Sequence, residues 1–299
     1  MAAEFSRKEL DMAIAMINPT KSPGPDMIHP RFLHHLGVSA KEYLVGMMNS
    51  IWRTGQVPQG WRTADIRPIL KRGKNPQQLS SYRPISLTSV VGKLMERVIT
   101  NRLIFKLEDE RGLSEHQAGF RPRRSTEDQL LRLSQSISDG FQRGRMERTV
   151  LALFDFSKAY DTVWGDGLIW KLVKRGLPKT FVRWVQGWLT NRRNFVSFRG
   201  TCSKKGTFQQ GLPKGSVISP VLFLMYIDDL PESITGDVQT SLFADDLACF
   251  VQDRSLEAAQ ERIQGAVDAV SKWSARWKLQ LSAEKCECAF FSTNSHEAK

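Results

Sequence analysis

The feature that most restricts how this chain can fold is a pair of adjacent carboxylates, Asp245-Asp246, set between two β-prone arms, Thr240-Ser-Leu-Phe-Ala244 and Leu247-Ala-Cys-Phe-Val251. Such arms pair with each other when a tight turn joins them, and the aspartates then stand together at the tip of a hairpin. Adjacent like charges are costly unless a cation compensates them, so the pattern points to a bound metal more than to structure. A second pair, Asp228-Asp229, is placed differently. It follows the apolar run Ser219-Pro-Val-Leu-Phe-Leu-Met-Tyr226, with proline at a helix start, and precedes Leu230-Pro231. That context reads as a solvated helix terminus.

Magnesium sites for phosphoryl transfer draw carboxylates from more than one element. Thr149-Val-Leu-Ala-Leu-Phe-Asp155 supplies a third, because a continuous apolar strand from Val150 to Phe154 is the pattern of a buried strand and delivers Asp155 at its end. Asp161 reads as a helix cap or a local hydrogen-bonding residue. Asp155 with Asp245 and Asp246 makes a two-metal carboxylate cluster.

The 299 residues carry 43 Lys and Arg against 31 Asp and Glu, a net charge of +12 that favours a polyanionic partner. The excess is concentrated. From Gly167 to Ile227 there is no acidic residue, while Arg192, Arg193, Lys204, Lys205 and Lys214 all fall inside that stretch, the first four flanking an expected strand at 194–199. One sign of charge over such a length predicts a surface that meets phosphates. No apolar run has membrane-spanning length, and the start lacks the apolar core of a secretory signal, so an intracellular protein is expected. The four cysteines include no C-x-x-C spacing, which argues against a structural zinc and for reduced thiols.

The local pattern is α+β. Capping-box spacing at Ser6–Glu9 and Ser39–Glu42 predicts two helices, the second closed by Gly55. Further helices are expected over 90–107, 126–141, 168–174, 179–189, 217–226 and 256–277, with strands over 66–70, 150–156, 194–199, 207–210, 241–244, 247–251 and 288–292. Trp184 with Trp188, and Trp273 with Trp277, are spaced to pack one face of a helix.

Seven blocks then occur in one order: Lys21-Ser-Pro-Gly-Pro-Asp26, Tyr82-Arg-Pro-Ile-Ser-Leu87, Gln117-Ala-Gly-Phe-Arg121, Phe154-Asp-Phe-Ser-Lys-Ala-Tyr-Asp161, Gln210-Gly-Leu-Pro-Lys-Gly-Ser216, Phe243-Ala-Asp-Asp246 and Leu281-Ser-Ala-Glu-Lys285. In this order they resemble the reverse transcriptase domain of a non-LTR (LINE-like) retrotransposon. The resemblance implies a right-hand polymerase fold with fingers and palm and without the helical thumb. Fingers with an N-terminal extension would occupy 1–148, and the palm 149–299 with a second fingers insertion near 167–205, ending in a polar tail at 293–299. It implies RNA-directed DNA polymerase activity on an RNA template and a DNA primer, using dNTPs and two Mg2+ ions, with Mn2+ as an alternative. Asp155 and Asp245 would be metal ligands and Asp246 either a third ligand or a brace for the hairpin. Lys71, Arg83 and Arg121 match positions that hold the triphosphate, Phe156, Tyr160, Gln210 and Gly211 match the nucleotide site, and Lys285 matches a proton donor to pyrophosphate. Tyr160 matches the aromatic that excludes a 2′-hydroxyl, which argues against a viral-type RNA-directed RNA polymerase. Lys214 departs from the family, where glutamine is usual, and Tyr160 stands where phenylalanine is more common. The alternative is a catalytically silent, template-binding remnant. No membrane association is implied, the location would be nucleus and cytoplasm, and the oligomeric state is open.

Overall fold

Residues 1–143 and 147–293 are described in the computed structural model of the protein, so the tail at 294–299 lies outside the described residues. The strands, in chain order, are β1 (Thr63–Leu70), β2 (Tyr82–Leu87), β3 (Arg148–Phe154), β4 (Arg192–Phe198), β5 (Thr201–Cys202), β6 (Gly206–Phe208), β7 (Gln239–Phe243), β8 (Asp246–Asp253) and β9 (Glu287–Phe291). Two units divide the chain: Met1–Lys106 with Gly165–Ser219, and Leu107–Trp164 with Pro220–Lys299. Helix Thr126–Gln142 packs on β3 and β7 within the second unit. No helix among the described residues is long and apolar enough to cross a membrane.

In the first unit, Ser6 caps helix Arg7–Ala15 as its spacing predicts: its Oγ accepts from the Glu9 amide at 3.3 Å, and Glu9 Oε2 accepts from the Ser6 amide at 2.9 Å. The second expected box does not form. Helix Val38–Thr54 begins one residue before Ser39, behind Gly37 and without a side-chain cap. Gly55 ends it with φ 72°, a conformation that costs glycine nothing. A cluster of rings fills the core: Trp52 lies 5.1 Å from Phe5 and 6.4 Å from both Phe181 and Trp184. Trp184 and Trp188 are both buried, as packing residues should be.

The sheet of this unit runs β2-β1-β4-β5, with β6 also on β4. β1 and β4 are parallel, and β1 and β2 antiparallel with Pro68 opposite Pro84. Strand β2 carries no clear strand signal because of that proline. Pro84 is tolerated on the edge strand, and Pro68 lies beyond Ile66, the last residue of β1 paired to β4, so no ladder bond to β4 is lost.

The second unit is built on an antiparallel sheet ordered β7-β8-β3-β9. Helices Leu256–Trp277 and Thr126–Gln142 pack against it, each opened by a serine cap, Ser255 and Ser125. β3 lies inside the sheet, which explains its continuous apolar character.

The N-terminal helix is tied to helix Val90–Asp109 by Glu9, whose carboxylate accepts from Arg102 Nε at 2.5 Å and Nη2 at 2.8 Å. Hydrogen bonding from Arg102, and next to it from Ser6, outweighs burial and holds the Glu9 carboxyl at about 2, below its ordinary 4.5. A depressed carboxyl stabilises the fold above its unfolded value and loses that contribution as pH falls through its folded value. Glu9→Gln should therefore lower the melting temperature by a constant amount above about pH 5, and the gap from the parent should close as pH falls from 4.5 toward 2, followed by thermal unfolding at a series of pH values.

Candidate active site

The pairing of β3 with β8 creates the site. Phe154 stands opposite Leu247, so the next residues along the two strands, Asp155 and Asp246, come side by side. β7 and β8 pair up to Phe243 and Asp246, which leaves Ala244-Asp245 as a two-residue turn. The expected hairpin is present, with both aspartates at its tip. Ala244 sits at φ 55°, where turns of this kind usually place glycine and where an L-residue pays on the order of 1–2 kcal/mol. Asp155 is fixed from the other side. Its carbonyl accepts from the Ser282 amide at 2.8 Å, the Ser157 amide donates to Gln280 at 2.8 Å, and Phe156 bridges Leu281.

The electrostatics follow from this crowding. Burial first, and then the Asp155 charge, push the Asp245 carboxyl up, against a hydrogen bond from its own backbone and the pull of Lys285. Asp246 is raised by burial, by Asp245 and by Asp155. Lys285 Nζ lies 3.1 Å from Asp155 Oδ2. Among the described residues no group of three or more His, Cys, Asp or Glu side chains is placed to hold a metal ion, and the carboxylates here face one another with like charge. That donor set suits a magnesium-type ion, which is held by one or two carboxylates and takes its other ligands from water and substrate phosphates. Beside it, the Tyr160 ring stacks on Phe223 with centroids 4.7 Å apart and 17° between planes. Its buried hydroxyl has no hydrogen-bond partner among the described residues, and burial with the Asp245 charge pushes the phenol up.

A family model described as reverse transcriptase (RNA-dependent DNA polymerase) matches residues 69–298. The chain belongs to the reverse transcriptase family. It is 33% identical over 294 residues to the RNA-directed DNA polymerase from mobile element jockey of Drosophila melanogaster, covering 96% of this chain and 32% of that protein. To the probable RNA-directed DNA polymerase from transposon BS of the same fly it is 34% identical over 284 residues, covering 93% and 31%. The chain thus spans about a third of the length of the curated relatives it matches. Among solved structures, apo telomerase from Candida tropicalis, truncated from its C-terminal domain, matches with TM-score 0.57 at 13% identity, over 80% of this chain and 52% of that one. That likeness shows the fold, a right-hand polymerase fold.

Several expected roles change in this reverse transcriptase domain. Asp228-Asp229 is not a solvated terminus. Asp228 is buried and accepts from the Ser114 amide at 2.8 Å, and Asp229 accepts from Trp273 Nε1 at 3.0 Å, so both bind neighbouring chain segments together. Arg121 does not reach out for a triphosphate. Its side chain is 5% exposed, forks onto Glu108 at 2.8 and 2.9 Å and donates to the carbonyls of Ser114 and Gln117. Hydrogen bonding from Arg121 holds Glu108 below the usual carboxylate range. The Phe156 ring is buried against Trp273, 6.5 Å between centroids, and offers a nucleotide only its backbone.

In the first unit of the reverse transcriptase, Lys71, Arg83 and Gln210 are exposed and Gly211 has φ 88°. Lys71 Nζ donates to the Ser80 carbonyl at 3.0 Å. Arg193, Lys204 and Lys205 are exposed and Lys214 is half-buried. Arg192 is not part of that surface. It is buried with its guanidinium 5.2 Å from the Trp188 ring centroid, and burial brings it down to about 10, with Glu96 opposing and Arg62 adding to the fall. Glu96 is the functional residue that sequence reasoning missed. Buried on helix Val90–Asp109, it accepts from Trp188 Nε1 at 2.9 Å, Ser216 Oγ at 2.7 Å and the Val217 amide at 2.7 Å, and so anchors the Gln210–Ser216 loop. An acid amid Val91, Leu94, Met95 and Val98 is the signal that could have found it.

The raised carboxyls carry a stability consequence. A group whose folded value lies above its unfolded one stabilises below the unfolded value and loses that contribution as pH rises through the folded value. At pH 7 Asp245 and its neighbours therefore repel without a compensating ion, and Asp245→Asn should raise the melting temperature in metal-free buffer by about 2 °C. The gain should shrink as pH falls toward the ordinary carboxyl value of 3.8; scanning calorimetry with a chelator present measures both.

Proposed function

We propose that this chain is the catalytic core of an RNA-directed DNA polymerase, with the palm in the second unit, the fingers in the first, and an RNA template and DNA primer as its nucleic acids. The observation that carries the reading is the register of β3 on β8, which brings Asp155 beside Asp245-Asp246. In this reading Asp155, Asp245 and Asp246 hold Mg2+, or Mn2+ in its place. Bound there, the ions supply Lewis acidity toward the primer 3′-hydroxyl and compensation for phosphate charge. The primer 3′-hydroxyl gives its proton to solvent water as its oxygen attacks the α-phosphorus, the bond to the bridging oxygen breaks, and pyrophosphate leaves.

The chain's own residues do the rest. Lys285 compensates Asp155 before substrate arrives and is the acid we assign to the leaving pyrophosphate. The Tyr160 ring, set by Phe223, lies beneath the incoming sugar and rejects a ribonucleotide. Lys71 and Arg83 take the triphosphate, where an ammonium and a guanidinium fork suit phosphate oxygens. The Gln210-Gly211 backbone, held through Glu96, faces the new base pair, and Arg193, Lys204, Lys205 and Lys214 meet template phosphates.

Primer extension on an RNA template with Mg2+ and dNTPs, run beside filter binding of the same template, tests this. Asp245→Asn should abolish extension, a loss of at least about 1000-fold, and leave template retention near the parent value. Asp228→Ala should instead lower the melting temperature while the folded fraction extends normally. Template retained by the parent protein without any extension would make the chain a binding remnant.

Replacing Arg193, Lys204 and Lys205 by Ser should weaken binding equally for unrelated templates, and each lost phosphate contact should reduce the slope of log K against log salt by about 0.7 to 0.9. An unchanged slope at a normal melting temperature would assign these cations to solubility alone.

A further inference from the structure

Gln117-Ala-Gly-Phe-Arg121 is a block to which the catalytic reading gives no role, since Arg121 is consumed by Glu108. We infer that Gln117 is a positioning residue for the carboxylate hairpin: its side-chain amide, together with the bare backbone of Gly119, sets the Ala244-Asp245 turn and so aims Asp245 and Asp246. The inference rests on the reading of Asp155, Asp245 and Asp246 as the cation-binding site.

Gln117 is fully buried, and every polar atom of its amide is spent on this corner. Oε1 accepts from the Ala244 amide at 2.9 Å and from the Gly119 amide at 2.8 Å, and Nε2 donates to the Ala244 carbonyl at 3.3 Å. Two backbone donors converge on one side-chain atom, so that atom has to be the oxygen, and the amide orientation is set by its neighbours. One side chain thus pairs with both main-chain groups of a single turn residue, as a neighbouring strand would. The backbone continues the pairing. Ala118 donates to the Leu242 carbonyl and Leu242 to the His116 carbonyl, both at 2.9 Å, which fastens this segment alongside β7 in parallel. Gly119 closes the last gap. A Cβ there would stand 2.2 Å from the Ala244 nitrogen, so no other residue permits this approach.

The turn needs such a brace because Ala244 occupies a left-handed conformation, φ 55°, without the freedom of glycine. Unbraced, the alanine relaxes toward negative φ, and the two carboxylates that follow it turn with it. Leucine fills the volume of Gln117 and removes its three hydrogen bonds. Glutamate retains the acceptor for both amides and removes only the donor to the Ala244 carbonyl.

The test measures Mn2+ binding by electron paramagnetic resonance, kcat and KM for primer extension, template retention and melting temperature on the same proteins. Gln117→Leu is expected to weaken Mn2+ about tenfold and to lower kcat about 100-fold with the dNTP KM and template retention within about twofold, while Gln117→Glu loses less in each. Adding Ala244→Gly to Gln117→Leu should recover at least about threefold in Mn2+ affinity, because glycine adopts the turn without a brace, and a merely structural role for Gln117 predicts no such recovery. If Gln117→Leu does not fold, Gln117→Glu carries the same readouts. Wild-type Mn2+ affinity and kcat in the folded Gln117 variant, with only a lower melting temperature, would overturn the inference. Asp245→Asn is the separate control: should it bind Mn2+ and extend primers like the parent, the carboxylate reading itself fails, whatever Gln117 does.

Discussion

The meeting of Asp155 with Asp245 and Asp246 depends on the antiparallel pairing of β3 with β8. Their register runs from Arg148 opposite Asp253 to Phe154 opposite Leu247, and it ends where the carboxylates begin. Side chains alternate across a sheet, so a slip of one residue would send Asp155 to the face opposite Asp246 and bury its charge. In the observed register Leu151, Phe154, Leu247 and Phe250 are all buried, so the strands that carry the acids are held by packing on both faces of the sheet.

The acids of the chain divide by whether their partners are present. Glu96, Asp228, Glu108 and Glu9 each meet neutral donors or a guanidinium and fasten segments distant in sequence. Asp245 and Asp246 meet chiefly one another and Asp155. A buried carboxylate with its donors satisfied is architecture, whereas one facing like charge stores free energy that a cation can release. The same contrast separates the cations: Arg121 and Arg192 are spent inside the protein, and Arg193, Lys204 and Lys205 are left outside.

Local signals were legible in the sequence where a residue type has a single physical use. The Ser6 cap, the Gly55 terminus, the helix Leu256–Trp277 and the hairpin around Asp245 stand where their patterns put them. Burial of a polar group is a different matter, because it depends on partners from elsewhere in the chain. Nothing local to Asp228 announces Ser114, 114 residues away, and nothing local to Arg121 announces Glu108. Strand β2 was hidden by its proline, and the parallel pairing of β1 with β4 joins residues that share no local pattern. The clustering of the three carboxylates was legible because strand ends and hairpin tips are themselves local features. The brace at Gln117 was not, since a lone glutamine carries no period and no charge.

The hold of the 280–282 segment on Asp155 sets an order of assembly. Asp155 lies in the middle of the chain, yet its carbonyl is capped by Ser282 and its carboxylate by Lys285, 130 residues further on. β3 also waits for β9, at Glu287–Phe291, to cover its second edge. A nascent chain on the ribosome can close helices of the first unit early, but β3 then stands with unpaired edges until β7, β8 and β9 have emerged. Contacts of such long sequence separation form slowly. Synthesis therefore passes through an interval in which an apolar strand is exposed, and the carboxylates come together only after nearly the whole described chain has been made.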